Sequence, residues 1–247
     1  MTESHRLQVI VGSTRPGRAA DRVVPWVLRR AGEHERFDVE LIDLRDWPLP
    51  MFQETFATVG DFSNPTYSTP IVRKWNHKIA EGDAYLFVTT EYNHSVPGEL
   101  KNALDSIWIS YALRNKPAAF VGYSSGPYGG VRAVEHLSHV AIESEMAPLR
   151  NSVLIGDVQQ AFNDRDEPVD PVTDVALSVT LDDLAWWSDA LSSARQVGEL
   201  PPGSFRLFSG IAALEKQAGE VTEPAEPEPA PDDLAASAGH WARESLQ

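Results

Sequence analysis

Short apolar runs alternate with segments of helical periodicity along most of this sequence, and this alternation restricts the fold more than any single motif does. The five runs are residues 7–11, 39–42, 84–89, 118–122 and 153–155. Residues 84–89 are almost continuously apolar, as in strands that crossover helices bury on both faces, whereas half-exposed antiparallel strands alternate. We therefore predict an α/β fold with a doubly wound, five-stranded parallel sheet, in which ligands bind outside the carboxyl ends of the strands.

The segments between the runs carry apolar residues at spacings of three and four, which predicts helices. One helix is expected to begin at Pro70, a residue favoured at the first helical position, and to extend to Gly82. Further helices are predicted around residues 23–28, 98–110, 131–146 and 175–195. The proline-rich residues 44–68 have neither pattern and are expected to run irregularly over the surface.

Charge and composition narrow the class of partner. The formal net charge of −15 repels phosphate backbones and anionic membranes, so we expect no nucleic acid and no membrane as partner. The absence of cysteine excludes disulfides and thiolate chemistry, which fits a cytoplasmic protein. A polar start and the lack of an apolar run of about 20 residues give no indication of export or membrane insertion.

The composition changes near residue 198, which predicts a domain of residues 1–197 and a C-terminal extension of residues 198–247. Residues 220–233 combine acids and prolines, a composition that buries too little apolar surface to become ordered. We therefore predict a largely disordered extension. Residues 234–247, which include Trp241, are open to a second interpretation as a short helical or docking segment.

The loop after the first predicted strand has the composition of an anion-binding site. Ser13 and Thr14 supply hydroxyl donors, Gly17 permits close backbone approach, and Arg15 and Arg18 supply charge just before a helix amino terminus. An exposed turn with two surface arginines is the alternative that these residues leave open. Both the P-loop pattern and G-x-G-x-x-G are absent, so a mononucleotide is favoured over a nucleoside triphosphate or a dinucleotide.

The loop after the third predicted strand carries the sequence T-E-Y-N-H-S-V-P-G-E-L-K-N-A-L-D, residues 90–105. This run resembles the P-E-Y-N-x-S-x-P-G-x-L-K-N-A-x-D signature of the NADPH-dependent FMN reductase family, and residues 12–15 resemble its G-S-x-R phosphate loop. Thr90 departs from the proline that the family usually has. The resemblance extends over residues 7–195 and includes residues 129–133, which open the fourth helix.

The resemblance implies a flavodoxin-like fold and an enzyme that passes hydride from NADPH or NADH through FMN to a small acceptor such as free flavin, a quinone, an azo compound or a nitro compound. It assigns the FMN phosphate to Ser13, Arg15, Gly17 and Arg18. It assigns the isoalloxazine ring to backbone groups of the second loop and to the loop after the fourth strand: Thr90, Glu91, Tyr92, Asn93, His94, Ser124, Ser125 and Gly126. The flavin carries the chemistry, so no catalytic side chain is expected.

Two other functions remain open at this stage. Residues 122–126 match the G-x-S-x-G nucleophile elbow, which would make the chain an α/β-hydrolase-type serine esterase with Ser124 as nucleophile and His240 as the later histidine. The same fold also suits a flavin-holding electron carrier without substrate turnover. His136 and His139 lie three apart on a predicted helix but lack further ligands, so we expect no metal site.

The end of the helix predicted over residues 98–110 carries more apolar residues than one core-facing stripe uses: Ile107, Trp108, Ile109 and Tyr111. Together with the family resemblance, this cluster predicts a homodimer or homotetramer. Truncation after Ala218 is expected to leave FMN content and NADPH oxidation nearly unchanged, because every loop assigned to the flavin precedes Val131. The alternative is that the extension places Trp241 over the substrate face of the flavin.

Overall fold

The computed structural model describes residues 4–61, 64–107 and 109–221. Its strands are β1 (His5–Val11), β2 (Phe37–Asp43), β3 (Ala84–Thr90), β4 (Pro117–Tyr123) and β5 (Ala147–Ile155). All four neighbouring pairs are parallel, in the order β2-β1-β3-β4-β5. The predicted five-stranded, doubly wound, flavodoxin-like sheet is therefore confirmed.

Helices cover both faces of this sheet. The helices of the sheet domain are α1 (Ala20–Gly32), α2 (Phe56–Val59), α3 (Pro70–Ala80), α4 (Gly98–Asp105), α5 (Val131–Glu143) and α6 (Pro171–Val197), and a further helix, α7 (Gly203–Val221), belongs to a separate unit. One apolar core joins α1 and α6 to the sheet, and a second core joins α3, α4 and α5 to the opposite face. The stretch after β2 is mostly irregular, as expected, and contains a short 3-10 helix, Leu44–Asp46, besides α2.

Strand β3 lies at the centre of the sheet and is buried along its whole length. Leu86 and Val88 belong to the core with α1 and α6, whereas Tyr85 and Phe87 belong to the opposite core. Each large apolar side chain buried in this way contributes about 1.5–3 kcal/mol. The alternation of side chains along one strand thus fastens both helix layers to the same sheet.

The helix predicted over residues 98–110 is shorter than expected, because α4 ends at Asp105. Ile109 and Tyr111 have φ angles of 70° and 51°, which lie in the left-handed region and cannot continue a right-handed helix. Ile107 is buried in the core, so its exposure, which the predicted apolar cluster implied, is wrong; Ile109 and Tyr111 are half-buried, and Trp108 lies outside the described residues. No glycine marks this helix end, which explains why the sequence did not reveal it.

The chain divides into two compact units, Met1–Glu199 and Leu200–Gln247. Helix α7 belongs to the second unit and was not expected from the sequence, although Leu207, Ile211 and Leu214 recur at helical spacing. Residues 222–247, with most of the acidic and proline-rich segment, lie outside the described residues. Within the described part of the chain, no helix combines the length and the apolarity that crossing a membrane requires.

Lys116 immediately precedes β4, at the amino-terminal end of the sheet. Its ammonium group donates to the carbonyl oxygen of Ala80 at 2.9 Å and to the hydroxyl of Tyr85 at 3.3 Å, and it lies 5.7 Å from the centroid of the Tyr85 ring. Burial is the main cause that lowers the pKa of Lys116 to about 8. The native fold therefore favours the uncharged amine more than the unfolded chain does.

This pKa difference predicts a pH dependence of stability. Between about pH 8 and the ordinary lysine pKa of 10.5 the unfolded chain binds more protons than the native chain, so its unfolding free energy rises with pH. Relative to Lys116→Met, the wild type should gain on the order of 1–3 kcal/mol between about pH 7 and pH 10. Urea titrations at the two pH values measure this gain. Lys74→Met, which changes an exposed lysine of α3, is the control, and parallel profiles of the wild type and Lys116→Met would contradict the prediction.

Candidate functional site

The carboxyl ends of β1, β3 and β4 open onto one cleft with a volume of about 390 Å³. These strands are neighbours in the sheet, so the loops that follow them meet although they lie far apart in the sequence. The lining residues come from these three loops, the start of α5 and the loop after β5: Arg15, Gly17, Arg18, Ala19, Thr90, Glu91, Tyr92, Tyr123, Ser124, Ser125, Gly126, Tyr128, Arg132, Val158 and Gln159.

Most of the residues predicted from the sequence line this cleft: Arg15, Gly17, Arg18, Thr90, Glu91, Tyr92, Ser124, Ser125 and Gly126. Ser13 is fully buried beneath the first loop, and Asn93 and His94 are exposed at the tip of the second. Tyr128 and Arg132 were not predicted to belong to the site, although residues 129–133 were part of the family resemblance. Val158 and Gln159 gave no local signal, because only the position of β5 brings them to the cleft.

The first loop leads from β1 into α1 and presents one guanidinium group to the cleft. Arg15 is exposed, and its side chain forms no hydrogen bond or ion pair with the described residues. Gly17 has a φ of 66°, a left-handed conformation that favours glycine. An unpaired cation just before a helix amino terminus is suited to binding an anion such as a phosphate.

Arg18 differs from Arg15 because its side chain is only 5% exposed and is bound within the protein. It donates to both carboxylate oxygens of Asp43 at the end of β2, to Asp21, and to the carbonyl oxygen of Ser13. Burial alone would lower the pKa of Arg18, but the hydrogen bonds with Asp43 and Asp21 outweigh it and raise that pKa. Burial alone would raise the pKa of the Asp43 carboxyl, but the hydrogen bonds from Arg18 outweigh burial, and that pKa is lowered. Arg18 thus attaches the first loop to β2.

The second loop contains a tight turn over residues 92–95. The N–H of Tyr92 donates to the carbonyl of Ser95 at 2.9 Å, and the N–H of Ser95 donates back to the carbonyl of Tyr92 at 3.0 Å. Asn93 and His94 have φ angles of 50° and 66°, as a type I′ turn requires. The N–H groups of Asn93 and His94 form no backbone hydrogen bond within the described part of the chain, so they remain available to a ligand.

Side chains of the second loop contact the first loop and helix α5. The hydroxyl of Tyr92 lies 2.9 Å from that of Ser13, which joins the turn to the first loop. The carboxylate of Glu91 accepts from the Nε of Arg132 at 2.5 Å, at the start of α5. Besides the backbone role expected for Glu91 and Tyr92, their side chains therefore connect the second loop to the first loop and to α5.

The third loop follows β4 and is held against the loop after β5. Ser124 receives a backbone hydrogen bond from Val158, and its own N–H donates to Ile155. Its hydroxyl donates to the carbonyl of Gly126 at 2.9 Å instead of to a histidine. The histidine predicted for this role, His240, lies outside the described residues, and within them no general base contacts Ser124, so the G-x-S-x-G match shows no catalytic geometry there. The serine esterase alternative is therefore not supported.

The remaining groups at the cleft suit binding more than acid or base catalysis. Burial raises the pKa of the Tyr123 phenol, which therefore stays protonated. No group of three or more His, Asp or Glu side chains within the described ranges is placed to hold a metal ion. The cleft thus offers a cation suited to a phosphate, and the turn that follows its lining residue Tyr92 carries two unpaired amides.

The comparisons with known proteins agree with this geometry. The sequence pattern of the family described as NADPH-dependent FMN reductase matches residues 5–160. An NAD(P)H-dependent FMN reductase of Schizosaccharomyces pombe is 32% identical over 177 residues, which are 71% of this chain and 82% of that protein. An NAD(P)H:quinone oxidoreductase of Solanum tuberosum is 38% identical over 108 residues, 42% of this chain and 50% of that protein.

Solved structures give the same fold. The flavoenzyme FerB of Paracoccus denitrificans, an NAD(P)H:(acceptor) oxidoreductase, superposes with a TM-score of 0.60 at 24% identity, over 75% of this chain and 98% of its own. The family match contains all three loops that line the cleft. The chain therefore belongs to the NADPH-dependent FMN reductase family and is an NAD(P)H-dependent oxidoreductase that uses FMN.

Proposed function

We propose that FMN binds in the cleft formed by the first three loops and that hydride passes from NADPH through it to a small planar acceptor of the quinone type. The observation that carries this proposal is that Arg15, just before α1, has no partner among the described residues, whereas the neighbouring Arg18 is paired with Asp43. When bound, FMN accepts and donates the hydride, while the protein supplies binding, orientation and electrostatics.

The cleft residues divide into ligands and supports in this proposal. Arg15 binds the phosphate of FMN, and Gly17 lets the backbone approach it. Ser13 and Arg18, which were expected to contact the phosphate, instead hold the loop in place through Tyr92 and Asp43.

The ring side of the site uses the second and third loops. The amides of Asn93 and His94 face the pyrimidine edge of the ring and stabilise the negative charge that develops there on reduction. The other ring contacts come from residues that line the cleft: Thr90, Glu91, Tyr92, Ser124, Ser125 and Gly126.

The acceptor class rests on the cleft rim and on a relative. Tyr128 is 64% exposed and its ring lies 5.3 Å from the guanidinium carbon of Arg132, which gives a flat platform for a planar molecule. The Solanum tuberosum relative is named a quinone oxidoreductase. Free flavin, azo and nitro compounds are the other acceptors to compare. NADPH is the proposed donor over NADH, in keeping with the family description.

We also propose that residues 1–197 form the reductase domain and residues 198–247 an extension of it, because every described residue that lines the cleft precedes Gln160. A cytoplasmic location is proposed because the hydride donor is an intracellular metabolite.

The purified enzyme is expected to carry FMN, with oxidised-flavin absorbance near about 450 nm. Anaerobic NADPH should bleach this band completely, and a quinone should restore it. Heat release followed by chromatography identifies the flavin. A colourless protein that does not bind added FMN would contradict the proposal, and bound FMN that NADPH leaves oxidised would favour an electron carrier.

Arg15→Ala should weaken FMN binding much more than riboflavin binding, because the lost charge-assisted hydrogen bond is directed at the phosphate. Such a bond contributes about 1.5–3 kcal/mol, or roughly a tenfold to hundredfold change in Kd. Fluorescence titration of the flavin-free protein measures both constants. Arg165→Ala is the matched control, because its side chain is 82% exposed and does not line the cleft. Equal weakening of FMN and riboflavin by Arg15→Ala would refute the assignment.

We propose a homodimer, or a homotetramer built from it, on different residues from those predicted. Met51 and Phe56, in the chain after β2, are 79% and 69% exposed, and exposed apolar patches are typical of protein–protein contact sites. Sedimentation at micromolar concentration should give a dimer or larger species, and Met51→Asp should shift it toward monomer. A wild type that sediments as a monomer would count against self-association.

A further inference from the structure

One face of α5 contacts both ends of the turn over residues 92–95. Arg132 binds the carboxylate of Glu91, which immediately precedes the turn. The Nδ1 of His136, four residues later and therefore on the same helix face, lies 3.0 Å from the hydroxyl of Ser95, which closes the turn. From the sequence, His136 was considered only as a metal ligand, which it was not expected to be, and the geometry gives it a partner in the second loop.

The turn needs such support because its own conformation is unfavourable. Asn93 and His94 are consecutive non-glycine residues in the left-handed region, and each such residue costs free energy relative to ordinary backbone. Both are exposed, so core packing does not fix them. Two backbone hydrogen bonds close the turn, but they do not set its position relative to the rest of the cleft.

Glu91 attaches the start of the turn to the amino terminus of α5. Its side chain is 6% exposed, and besides Arg132 Nε it accepts from the backbone N–H of Arg132 at 3.3 Å. Gly130, the residue before the helix, has no side chain to cap it, so a carboxylate from another loop takes that place. The positive end of the helix dipole and the guanidinium group both attract this carboxylate.

The base of α5 is itself fixed against β4. A Cβ on Gly130 would lie 2.9 Å from the backbone nitrogen of Tyr123, and one on Gly122 would lie 2.8 Å from the carbonyl oxygen of Gly129. These close approaches leave little room for the helix start to move. The sheet therefore fixes the position of a loop that is attached to this helix face.

We propose that Arg132 and His136 are positioning residues that hold the 92–95 turn so that the amides of Asn93 and His94 face the flavin ring. The proposal rests on the proposed function, because it takes the ring to lie against this turn. It deepens that function by giving two side chains of α5 control over the ring end of the cofactor, independently of Arg15 at the phosphate end.

The division between ring end and phosphate end supplies the test. A residue that positions the turn affects the isoalloxazine, which FMN and riboflavin share, so its loss should weaken both ligands by the same factor. His136→Ala removes one hydrogen bond and is expected to raise both Kd values about three- to tenfold. It should also shift the midpoint potential of bound FMN, because misplaced amides stabilise the reduced ring less well.

His139→Ala is the matched control, because His139 lies on the same helix, is exposed, and has no partner within the described residues. His136→Asn, whose amide can replace the Nδ1 contact with Ser95, should restore most of the affinity. Equal Kd values and potentials for His136→Ala and His139→Ala would overturn the role of His136. So would a loss of FMN affinity without loss of riboflavin affinity.

Arg132 needs a double-mutant cycle, because removing it alone leaves the buried Glu91 carboxylate unpaired and risks the fold. Glu91→Gln, Arg132→Met and the double variant are compared for riboflavin Kd, and thermal unfolding of each flavin-free protein monitors the fold. Coupling of about fivefold or more in the riboflavin Kd supports the positioning role. Additive effects on riboflavin, with coupling confined to thermal stability, would overturn it. Failure of the wild type to bind either flavin would overturn the proposed function as well.

Discussion

The burial of β3 on both faces is the constraint on which the rest of the molecule depends. Tyr85 and Phe87 face one helix layer and Leu86 and Val88 the other, so neither layer can be absent. Parallel strands between two helix layers require crossover connections, which place sequentially distant strands side by side. The order β1-β3-β4 brings three loops to one sheet edge, and the cleft follows from the way the core is packed.

Polar contacts set the positions of those loops at the carboxyl ends of the strands. The first loop is attached to β2 through Arg18 and Asp43, and the second to α5 through Glu91 and Arg132. Breaking a buried ion pair such as Arg18–Asp43 by removing one partner costs about 3–5 kcal/mol, whereas the Glu91–Arg132 pair contributes less because the Arg132 side chain is 36% exposed. Amides held in place before a cofactor binds need little reorganisation when charge develops near them, and this makes the restraint useful for hydride transfer.

The pairing pattern of the arginines explains how a strongly acidic chain can bind a phosphate. Arg18 and Arg132 line the cleft but are compensated by Asp43 and Glu91, whereas Arg15 has no partner among the described residues. The local field at the phosphate end therefore comes from one uncompensated guanidinium and a helix terminus, against a net charge of −15. Counting arginines in the loop would have overstated the charge that is available to a ligand.

The sequence by itself determined the sheet, the two helix layers and the three loops of the site, the third of them through the family resemblance. Apolar periodicity and turn residues are local signals, and the 90–105 motif lies in one continuous segment. Only the tertiary structure decided that Arg18 binds Asp43 and that the hydroxyl of Ser13 contacts that of Tyr92. These partners lie 25 and 79 residues apart in the sequence and meet only when β1, β2 and β3 align. The early end of α4 and the contact of His136 with Ser95 were hidden for the same reason. Non-glycine residues in the left-handed region and contacts between loops depend on the neighbours that the folded sheet brings to them. The local sequence does not predict these neighbours.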